Sequence, residues 1–359
     1  MLMFPKPNQN RKHPGSYRPI SLLSNIGKLY EKILLKRLND HCYSNNIIPD
    51  EQFGFRDKHS CTHQLLRVTN KIVEGFNIKH YTGGVFLDVI GNIQAGTPQG
   101  SSLSPTLYNI FNSDFPRNDK VLNCLFADDS AILTQGSNTR FIIKTLQSQI
   151  ECIEYWCTKW RVAINTDKTK AILFRKGHSR KVLKTLSFME EDLPWENQVK
   201  YLGLILDSKL SFRQHAKYNS DKFWNKVHMI IPLIGRHSPL SLNNKVLLFK
   251  QILRPILTYS APIWCITAKT HRRKIQILQN KILRIMTNAP WFVRNDVIHK
   301  DLKIELIEDH VKNLSRKFFS QLLDHKNPLI NGQVEYAHTN GKYPYPYSTT
   351  KWSLPIKPP

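Results

Sequence analysis

Two adjacent carboxylates between apolar, strand-like flanks limit most strongly how this chain can fold. Residues 125–133 have the sequence LFADDSAIL, with Asp128 and Asp129 at the centre. Charged pairs are costly to bury unless they are paired or bound to a metal, so we expect a tight hairpin whose tip faces a cleft. Because side chains alternate along a strand, the two carboxylates cannot both point fully at one ion. An exposed β-turn that happens to contain two aspartates is the alternative.

A second apolar strand carries one acid. Residues 84–89 (GVFLDV) place Asp88 where a neighbouring Asp128 would only repel it unless a cation lay between them. Ligands that are oxygen only suit Mg²⁺. Two such ions about 3.5–4 Å apart would polarise an attacking 3′-hydroxyl and stabilise a leaving pyrophosphate. The alternative for Asp88 is a strand-end acid that caps a turn.

A loop rich in Gly, Pro and Ser lies between these two acidic strands. Residues 95–105 (AGTPQGSSLSP) predict a loop whose backbone can approach a ligand closely, with a helix beginning near Ser104–Pro105. Elsewhere, apolar residues at helical spacing predict helices from residue 26 to residue 38 and from residue 142 to residue 160. Residues 163–174 and 200–206 are strand-like.

The order of these segments resembles that of reverse transcriptases. FLDV, AGTPQGSSLSP and FADD are similar to the first three palm motifs of that family. The sequences SYRPISLL (residues 16–23) and DEQFGFR (residues 50–56) resemble fingers segments of jockey-like and LINE-like non-LTR retrotransposons. Residues 164–170 and KYLG (residues 200–203) resemble the next two motifs, the second being the primer grip. The resemblance covers nearly all of residues 1–325.

The resemblance implies a fold and a domain order. The expected class is α+β, of the right-hand polymerase type, with an antiparallel palm sheet followed by a helical thumb. Residues 1–207 would form the fingers and palm, and residues 208–330 a basic helical thumb or connection. Residues 331–359 are rich in Pro and Tyr without periodicity, which predicts a disordered tail.

The resemblance also implies an RNA-directed DNA polymerase that uses Mg²⁺ or Mn²⁺, an RNA template, a DNA primer and dNTPs. Asp88 and Asp128 would hold the catalytic metals, with Asp129 as a supporting catalytic carboxylate. The expected nucleotide or template contacts are Lys6, Arg18, Gln99, Gly100 and Lys170, and the expected primer grip is Tyr201, Leu202 and Gly203. Lys170 is also a candidate proton donor. Each lysine or arginine could instead be an ordinary solvated surface charge.

The charge balance favours a polyanionic partner. The chain has 52 Lys and Arg residues against 27 Asp and Glu residues, a net charge of +25. A basic but inert surface and an anionic membrane surface are the alternatives. Residues 274–284 fit a helix with one apolar and one basic face, which could follow a duplex backbone without reading bases. An ordinary amphipathic helix would look the same.

Localisation and redox state follow from what the sequence lacks. Residues 1–16 contain no signal-peptide core, and the most apolar stretch, residues 246–268, is broken by charges and prolines. We therefore expect an intracellular protein, in nucleus or cytoplasm, without membrane partners. The six cysteines form no C-x-x-C pair, which argues against zinc and favours reduced core thiols.

One departure from the family pattern affects the predicted activity. The family continues after the first palm aspartate with an aromatic gate and several dozen residues, whereas residues 89–93 contain no Phe or Tyr and lead almost directly into the next motif. We therefore expect a palm that is incomplete between residues 89 and 93. With no endonuclease upstream and no zinc knuckle at its end, the chain is expected to be a truncated, internally deleted copy. It could be an active polymerase, a catalytically dead nucleic-acid-binding remnant, or a chain that does not fold alone.

Overall fold

Helices and strands alternate in the first half of the chain and helices dominate the second. The computed structural model describes residues 2–5, 10, 12–13, 16–90, 100–177, 183–337 and 341–349. Within these residues the strands are β1 (Leu2–Pro5), β2 (Tyr17–Ile20), β3 (Tyr81–Ile90), β4 (Leu122–Phe126), β5 (Asp129–Gly136), β6 (Ala163–Ile164), β7 (Lys170–Phe174), β8 (Leu186–Phe188), β9 (Glu191–Leu193), β10 (Trp195–Glu196), β11 (Gln198–Tyr201) and β12 (Leu204–Asp207).

Twelve α-helices accompany the strands in the described ranges. They are α1 (Asn25–Ser44), α2 (Cys61–Asn77), α3 (Ser104–Phe111), α4 (Thr139–Trp160), α5 (Arg213–Ile234), α6 (Leu242–Leu248), α7 (Arg254–Thr258), α8 (Ala261–Trp264), α9 (Lys269–Thr287), α10 (Asn295–Asp301), α11 (Ile307–Leu323) and α12 (Pro328–Asn331). The helices predicted near residues 26–38, 142–160 and 274–284 are confirmed as α1, α4 and α9.

The central sheet is mainly antiparallel. Its strand order is β10-β7-β3-β5-β4, and the short β6 pairs with the C-terminal end of β3. Strand β3 lies between β5 and β7 and pairs antiparallel with both, while the short β10 runs parallel to β7. The predicted mixed class with an antiparallel sheet is therefore confirmed at this level.

Each face of the sheet packs against a different layer. Val85 and Ile132 lie in a core with the apolar face of α4, whose buried stripe includes Leu146. Phe86 and Ala131, on the opposite face, belong to a larger core that includes α2 and the helices of the second half. The helical half and the sheet therefore share one continuous apolar core.

The C-terminal segment differs from its prediction. Residues 332–337 and 346–349 form 3₁₀ turns instead of a disordered tail. Tyr345 and Tyr347 are only 5% and 8% exposed, and Phe319 of α11 packs edge-on against Tyr347 at 5.1 Å between ring centroids. Aromatic residues in a Pro-rich segment can still be buried when a preformed helical surface receives them. Residues 338–340 and 350–359 lie outside the described residues.

Two further predictions can be compared with the structure. The six cysteines are free thiols as predicted, but only four of them are core residues, since Cys61 is half-buried and Cys152 is exposed. Among the described residues, no helix combines the length and the apolar character that crossing a bilayer requires.

Candidate active site

Asp88 and Asp129 lie directly opposite each other on neighbouring strands. They are the last register pair between β3 and β5, two positions beyond the pair Phe86 and Ala131. Because side chains alternate along a strand, Asp88 and Asp129 point to the same face as Phe86. Each acid is half-buried where the apolar pattern of its strand ends.

Like charges placed directly across a sheet destabilise it unless something neutralises them. Burial, together with the charges of Asp128 and Asp88, raises the pKa of Asp129 to about 6, against a smaller opposing influence of Lys168. Lys168 Nζ lies 2.8 Å from Asp88 Oδ2, and this ion pair is half open to solvent. The arrangement concentrates negative charge that one lysine only partly compensates.

Asp128 occupies a different position from Asp129. It is exposed at the tip of the β4–β5 hairpin, after Ala127, whose φ of +54° lies in the left-handed region. The structure therefore brings Asp88 and Asp129 together directly. Asp128 lies near enough for its charge to affect the pKa of Asp129, but it is exposed and is not part of the register pair. The family resemblance instead predicts Asp128 as the partner of Asp88 at the metal site, with Asp129 in support.

An open cleft of about 550 Å³ lies in front of the register pair. Its charged lining residues are Asp88, Asp129, Asp167, Lys168, Lys170, Glu196 and Lys200. Lys170, predicted as a nucleotide contact, lies opposite Phe86 on β7, two register positions from Asp88. Its Nζ is 3.9 Å from Glu196 Oε1. The cleft thus presents both carboxylates and lysines to one space.

The predicted primer-grip residues form the tip of the β11–β12 hairpin beside this cleft. The hydroxyl of the buried Tyr201 donates to the Cys124 carbonyl of β4 at 3.1 Å, and its ring packs against Phe86 at 5.0 Å. Leu202 and Gly203 form the turn, with φ values of +44° and +78°. Tyr259 donates to the Leu202 carbonyl at 2.7 Å. The turn is therefore tied both to the acidic strands and to the helical half.

The predicted nucleotide and template contacts are only partly described. Gly100 has a φ of +110°, and a Cβ there would lie 2.7 Å from the Ser21 carbonyl oxygen, so both its conformation and its close packing require glycine. Lys6 and Gln99 lie outside the described residues, and Arg18 is described only in its backbone, opposite Phe4 in the β1–β2 pair.

The loop after Gly100 is anchored to α1. Ser101 Oγ donates to Glu31 Oε1 at 2.6 Å, and the Ser102 amide donates to Glu31 Oε2 at 2.7 Å. Thr106 in α3 donates to Asn39 at 3.0 Å. These contacts connect the predicted nucleotide loop to the preceding helix through polar bonds.

The donor set can be tested against a divalent cation. In the parts of the chain that are described, no three His, Cys, Asp or Glu side chains converge as a complete metal cage. Mg²⁺ does not require one, because it is commonly held by one or two carboxylates and completes its shell with water and substrate phosphates. Asp88 and Asp129 supply such oxygens at an open cleft. The residues present therefore fit a cation that shares its coordination with a substrate.

Lys168 is the site residue that the sequence did not single out. Three lysines occur within residues 168–176, and composition does not distinguish them. Lys168 contacts Asp88 because the Asn165 amide donates to the Asp88 carbonyl at 2.9 Å and brings the 165–168 turn beside β3. The only sequence signal was the turn-forming Asn165 three residues before it.

Comparison with known proteins adds independent information. The family model described as "Reverse transcriptase (RNA-dependent DNA polymerase)" matches residues 4–92 and 91–206. The chain is 30% identical to the protein named "Probable RNA-directed DNA polymerase from transposon BS" of Drosophila melanogaster, over 92% of this chain and 42% of that protein. It is 33% identical to "RNA-directed DNA polymerase from mobile element jockey" of the same organism, with the same coverage.

The matched region is longer in these relatives. The chain spans 42% of their length, and its alignment with the jockey protein extends over 386 residues although the chain has 359. The relatives therefore carry residues inside the matched region that this chain lacks. The family match is divided into two segments that meet at residues 91–92. The gap predicted between residues 89 and 93 stays a prediction.

Proposed function

This chain belongs to the reverse transcriptase (RNA-dependent DNA polymerase) family, and on that premise we propose that it catalyses RNA-directed DNA synthesis for a non-LTR retrotransposon. The observation that carries the proposal is the register pair of Asp88 and Asp129 at the open cleft. The proposed substrates are an RNA template, a DNA primer and dNTPs. The relatives' printed names support this activity, which we extend to the present chain.

The carboxylates would hold Mg²⁺, with Mn²⁺ as a substitute. Asp88 and Asp129 would provide carboxylate oxygens as ligands, and Asp128 at the hairpin tip would provide a further carboxylate. When bound, the cations would lower the cost of deprotonating the primer 3′-hydroxyl and of releasing pyrophosphate. The pKa of Asp129 is raised by burial and by the charges of Asp128 and Asp88, and this supports the assignment because a nearby cation would offset both effects.

Lysines of the cleft would bind the triphosphate. Lys168 neutralises Asp88, and its side chain is 65% exposed, so it can swing from Asp88 to a phosphate oxygen. Lys170 would approach the same phosphates from β7, as expected for the candidate proton donor. We expect Lys168→Gln to raise the KM for dNTP more than Lys170→Gln does, because only Lys168 touches the acidic pair.

The remaining assignments follow the family pattern. We assign residues 1–207 to fingers and palm and residues 208–330 to the thumb, supported by the change from strands to helices after β12. The turn at Leu202–Gly203 would hold the primer end, supported by its position beside the cleft. Helix α9 exposes Arg273, Lys274 and Lys281, which suits contact with a phosphate backbone.

Primer extension tests the proposal. Clean protein should extend a DNA primer on an RNA template with Mg²⁺, and Asp88→Asn or Asp129→Asn should abolish the product. Asp119→Asn is the matched control, since this exposed acid precedes β4 at the end of the hairpin away from the site. A folded wild-type chain that makes no Mg²⁺-dependent product would contradict the activity, and loss in Asp119→Asn would contradict the site.

A second candidate function is nucleic-acid binding without catalysis. This candidate is supported by the residues that the relatives carry inside the matched region and this chain lacks, and by the division of the family match at residues 91–92, close to Asp88. This function predicts binding to RNA or duplex that weakens with salt and is unaffected by Asp88→Asn. Binding that ignores ionic strength would exclude it, and template-dependent extension by the same preparation would favour the polymerase.

A further inference from the structure

The segment from Glu51 to Gly54 lies against the strand that leads to the acidic turn. The Phe53 amide donates to the Leu125 carbonyl at 2.9 Å, and the Leu125 amide donates to the Glu51 carbonyl at 3.2 Å. These bonds make a short parallel bridge at the edge of β4. The segment belongs to the DEQFGFR sequence, for which the proposed polymerase mechanism uses no side chain.

The side chain of Gln52 continues this contact onto the turn itself. Its Oε1 accepts hydrogen bonds from the Gly54 amide at 2.9 Å and from the Ala127 amide at 3.1 Å. Gln52 is fully buried, so water cannot replace this acceptor. Ala127 holds a left-handed φ, a conformation that residues with a Cβ rarely adopt and that surrounding contacts must stabilise.

Gly54 determines how closely the segment approaches. A Cβ at Gly54 would lie 2.2 Å from the Ala127 nitrogen and 2.9 Å from the Phe126 carbonyl carbon. On its other side, the Gly54 carbonyl accepts from Asn109 Nδ2 of α3 at 3.0 Å. Only a residue without a side chain allows this backbone contact.

We propose that Gln52 is a positioning residue for the acidic pair, with Gly54 as its steric partner. Phe126 and Asp129 form the last register pair of the hairpin, so the location of Ala127 sets the location of both Asp128 and Asp129 relative to Asp88. Ligand groups must be held to within about 0.5 Å for a site to work. The functional half of this inference rests on the proposed metal-dependent polymerase, whereas the contact itself does not.

Gln64 provides a matched control. It is also a fully buried glutamine, and its Nε2 donates to the Leu125 carbonyl at 3.1 Å, on β4 before the turn, and at 3.5 Å to the Glu51 carbonyl. Gln64→Met therefore removes a buried hydrogen bond to the same strand and leaves the Ala127 amide bonded. Gln52→Met removes the acceptor of that amide while keeping a side chain of similar length.

Hydrogen exchange on the full chain tests the contact without any cofactor. We expect the Ala127 amide to exchange up to about tenfold faster in Gln52→Met than in wild type, and within about twofold of wild type in Gln64→Met. Unchanged exchange at Ala127 in Gln52→Met would overturn the proposal, because the hydrogen bond would then not hold the turn.

Binding of Mn²⁺ alone, followed by electron paramagnetic resonance, tests the consequence. Gln52→Met and Gly54→Ala should bind Mn²⁺ at least about tenfold more weakly than wild type, as for other residues that orient metal ligands. Gln64→Met should bind like wild type, and Asp88→Asn should lose binding. Wild-type affinity in Gln52→Met would overturn the positioning role. A wild-type chain without Mn²⁺ affinity would instead contradict the proposed function, and exchange at Ala127 would then decide whether Gln52 holds the turn.

Discussion

Helices α4 and α1 are similar in length and in the spacing of their apolar residues, but their surroundings differ completely. In α4, Ile142, Leu146, Ile150 and Ile153 are fully buried against the sheet. In α1, Ile26, Tyr30 and Ile33 are 83%, 63% and 52% exposed, and Cys42 is its one buried residue among those described. The comparison teaches that periodicity predicts a helix and its apolar side, whereas burial depends on another element reaching that side.

The contacts of the two helices explain the difference. Helix α4 covers the Val85 and Ile132 face of the sheet, so its apolar stripe contributes hydrophobic stabilisation. Helix α1 is joined to its neighbours by polar bonds from Glu31 and Asn39 to the loop after Gly100 and to α3. We therefore expect substitutions in the two stripes to have very different effects.

The largest effect is expected from a matched isoleucine pair. Ile150→Ala in α4 should lower the free energy of unfolding by about 2–5 kcal/mol, because it opens a cavity in a closed core. Ile33→Ala in α1 should change it by no more than about 0.5 kcal/mol. Urea denaturation followed by circular dichroism measures both. Equal losses would show that α1 is covered in solution and would break the comparison.

Acid titration extends the comparison to α2, which lies on the other side of the sheet. His63 of α2 is 6% exposed and stacks on Phe318, and burial, helped by the charges of His325 and His59, lowers its pKa to about 4. In the unfolded chain, a histidine has an ordinary pKa near 6.5. Between that pH and about pH 4, the unfolded chain therefore binds a proton at His63 while the folded protein keeps His63 neutral. Stability should therefore fall between about pH 6.5 and about pH 4.

The variant His63→Phe isolates this contribution. When the pH is lowered from about 7 to about 4.5, the free energy of unfolding of wild type should fall by about 1–3 kcal/mol more than that of His63→Phe. Above about pH 7, the difference in stability between the two proteins should not change with pH. Thermal melts across this range provide the measurement. Identical pH profiles would mean that His63 is accessible to protons in the folded protein.

A smaller effect is expected where α4 ends. The indole nitrogens of Trp156 and Trp160 donate to the two carboxylate oxygens of Asp114 at 2.7 and 2.9 Å. Asp114→Asn keeps one acceptor and loses the other, which should lower the free energy of unfolding by about 1 kcal/mol. Asp119→Asn serves as the exposed control. If the two variants melt alike, the indole bonds do not contribute to the anchoring of α4.

The smallest change in stability is expected at the exposed stripe of α1. Tyr30→Lys should leave the free energy of unfolding within about 0.5 kcal/mol of wild type but reduce the fluorescence of a bound apolar dye, because Tyr30 belongs to a contiguous apolar patch. Tyr155→Lys in α4 should leave the dye signal unchanged, since the 75% exposed Tyr155 has Glu151, Cys152, Thr158 and Lys159 three and four positions away and so extends no apolar stripe. A similar loss of dye fluorescence in both variants would contradict the presence of an apolar patch on α1.

Much of the local structure could be predicted from the sequence. The strand at residues 84–89, the two strands that flank the acidic pair within residues 125–133, and the helices α1, α4 and α9 follow from apolar patterns that reflect local geometry. The burial of Tyr345 and Tyr347 could not be predicted, because the surface that receives them is formed by helices distant in sequence. A periodic pattern predicts one helix or strand and its apolar side, but it does not predict which other element packs against that side.

The candidate site shows the same division. The sequence identified Asp88, Asp128 and Asp129 as carboxylates and placed them on two strands, because isolated acids in apolar strands are unusual. The register between β3 and β5 determines that Asp129 faces Asp88. The hydrogen bond from the Asn165 amide to the Asp88 carbonyl places Lys168 where it forms the ion pair with Asp88. A shift of one residue in register would reverse which acid faces the cleft.

By itself, then, the sequence determined the family, the acidic residues and the helices and strands that carry them, since these depend on residue type and short-range periodicity. Only the tertiary structure decided which acids meet, which lysine joins them, and that Gln52 accepts the amide of Ala127. Those contacts join residues up to about 80 positions apart. These contacts depend on how the sheet and the helices pack, and a short-range sequence pattern cannot predict which distant residues meet.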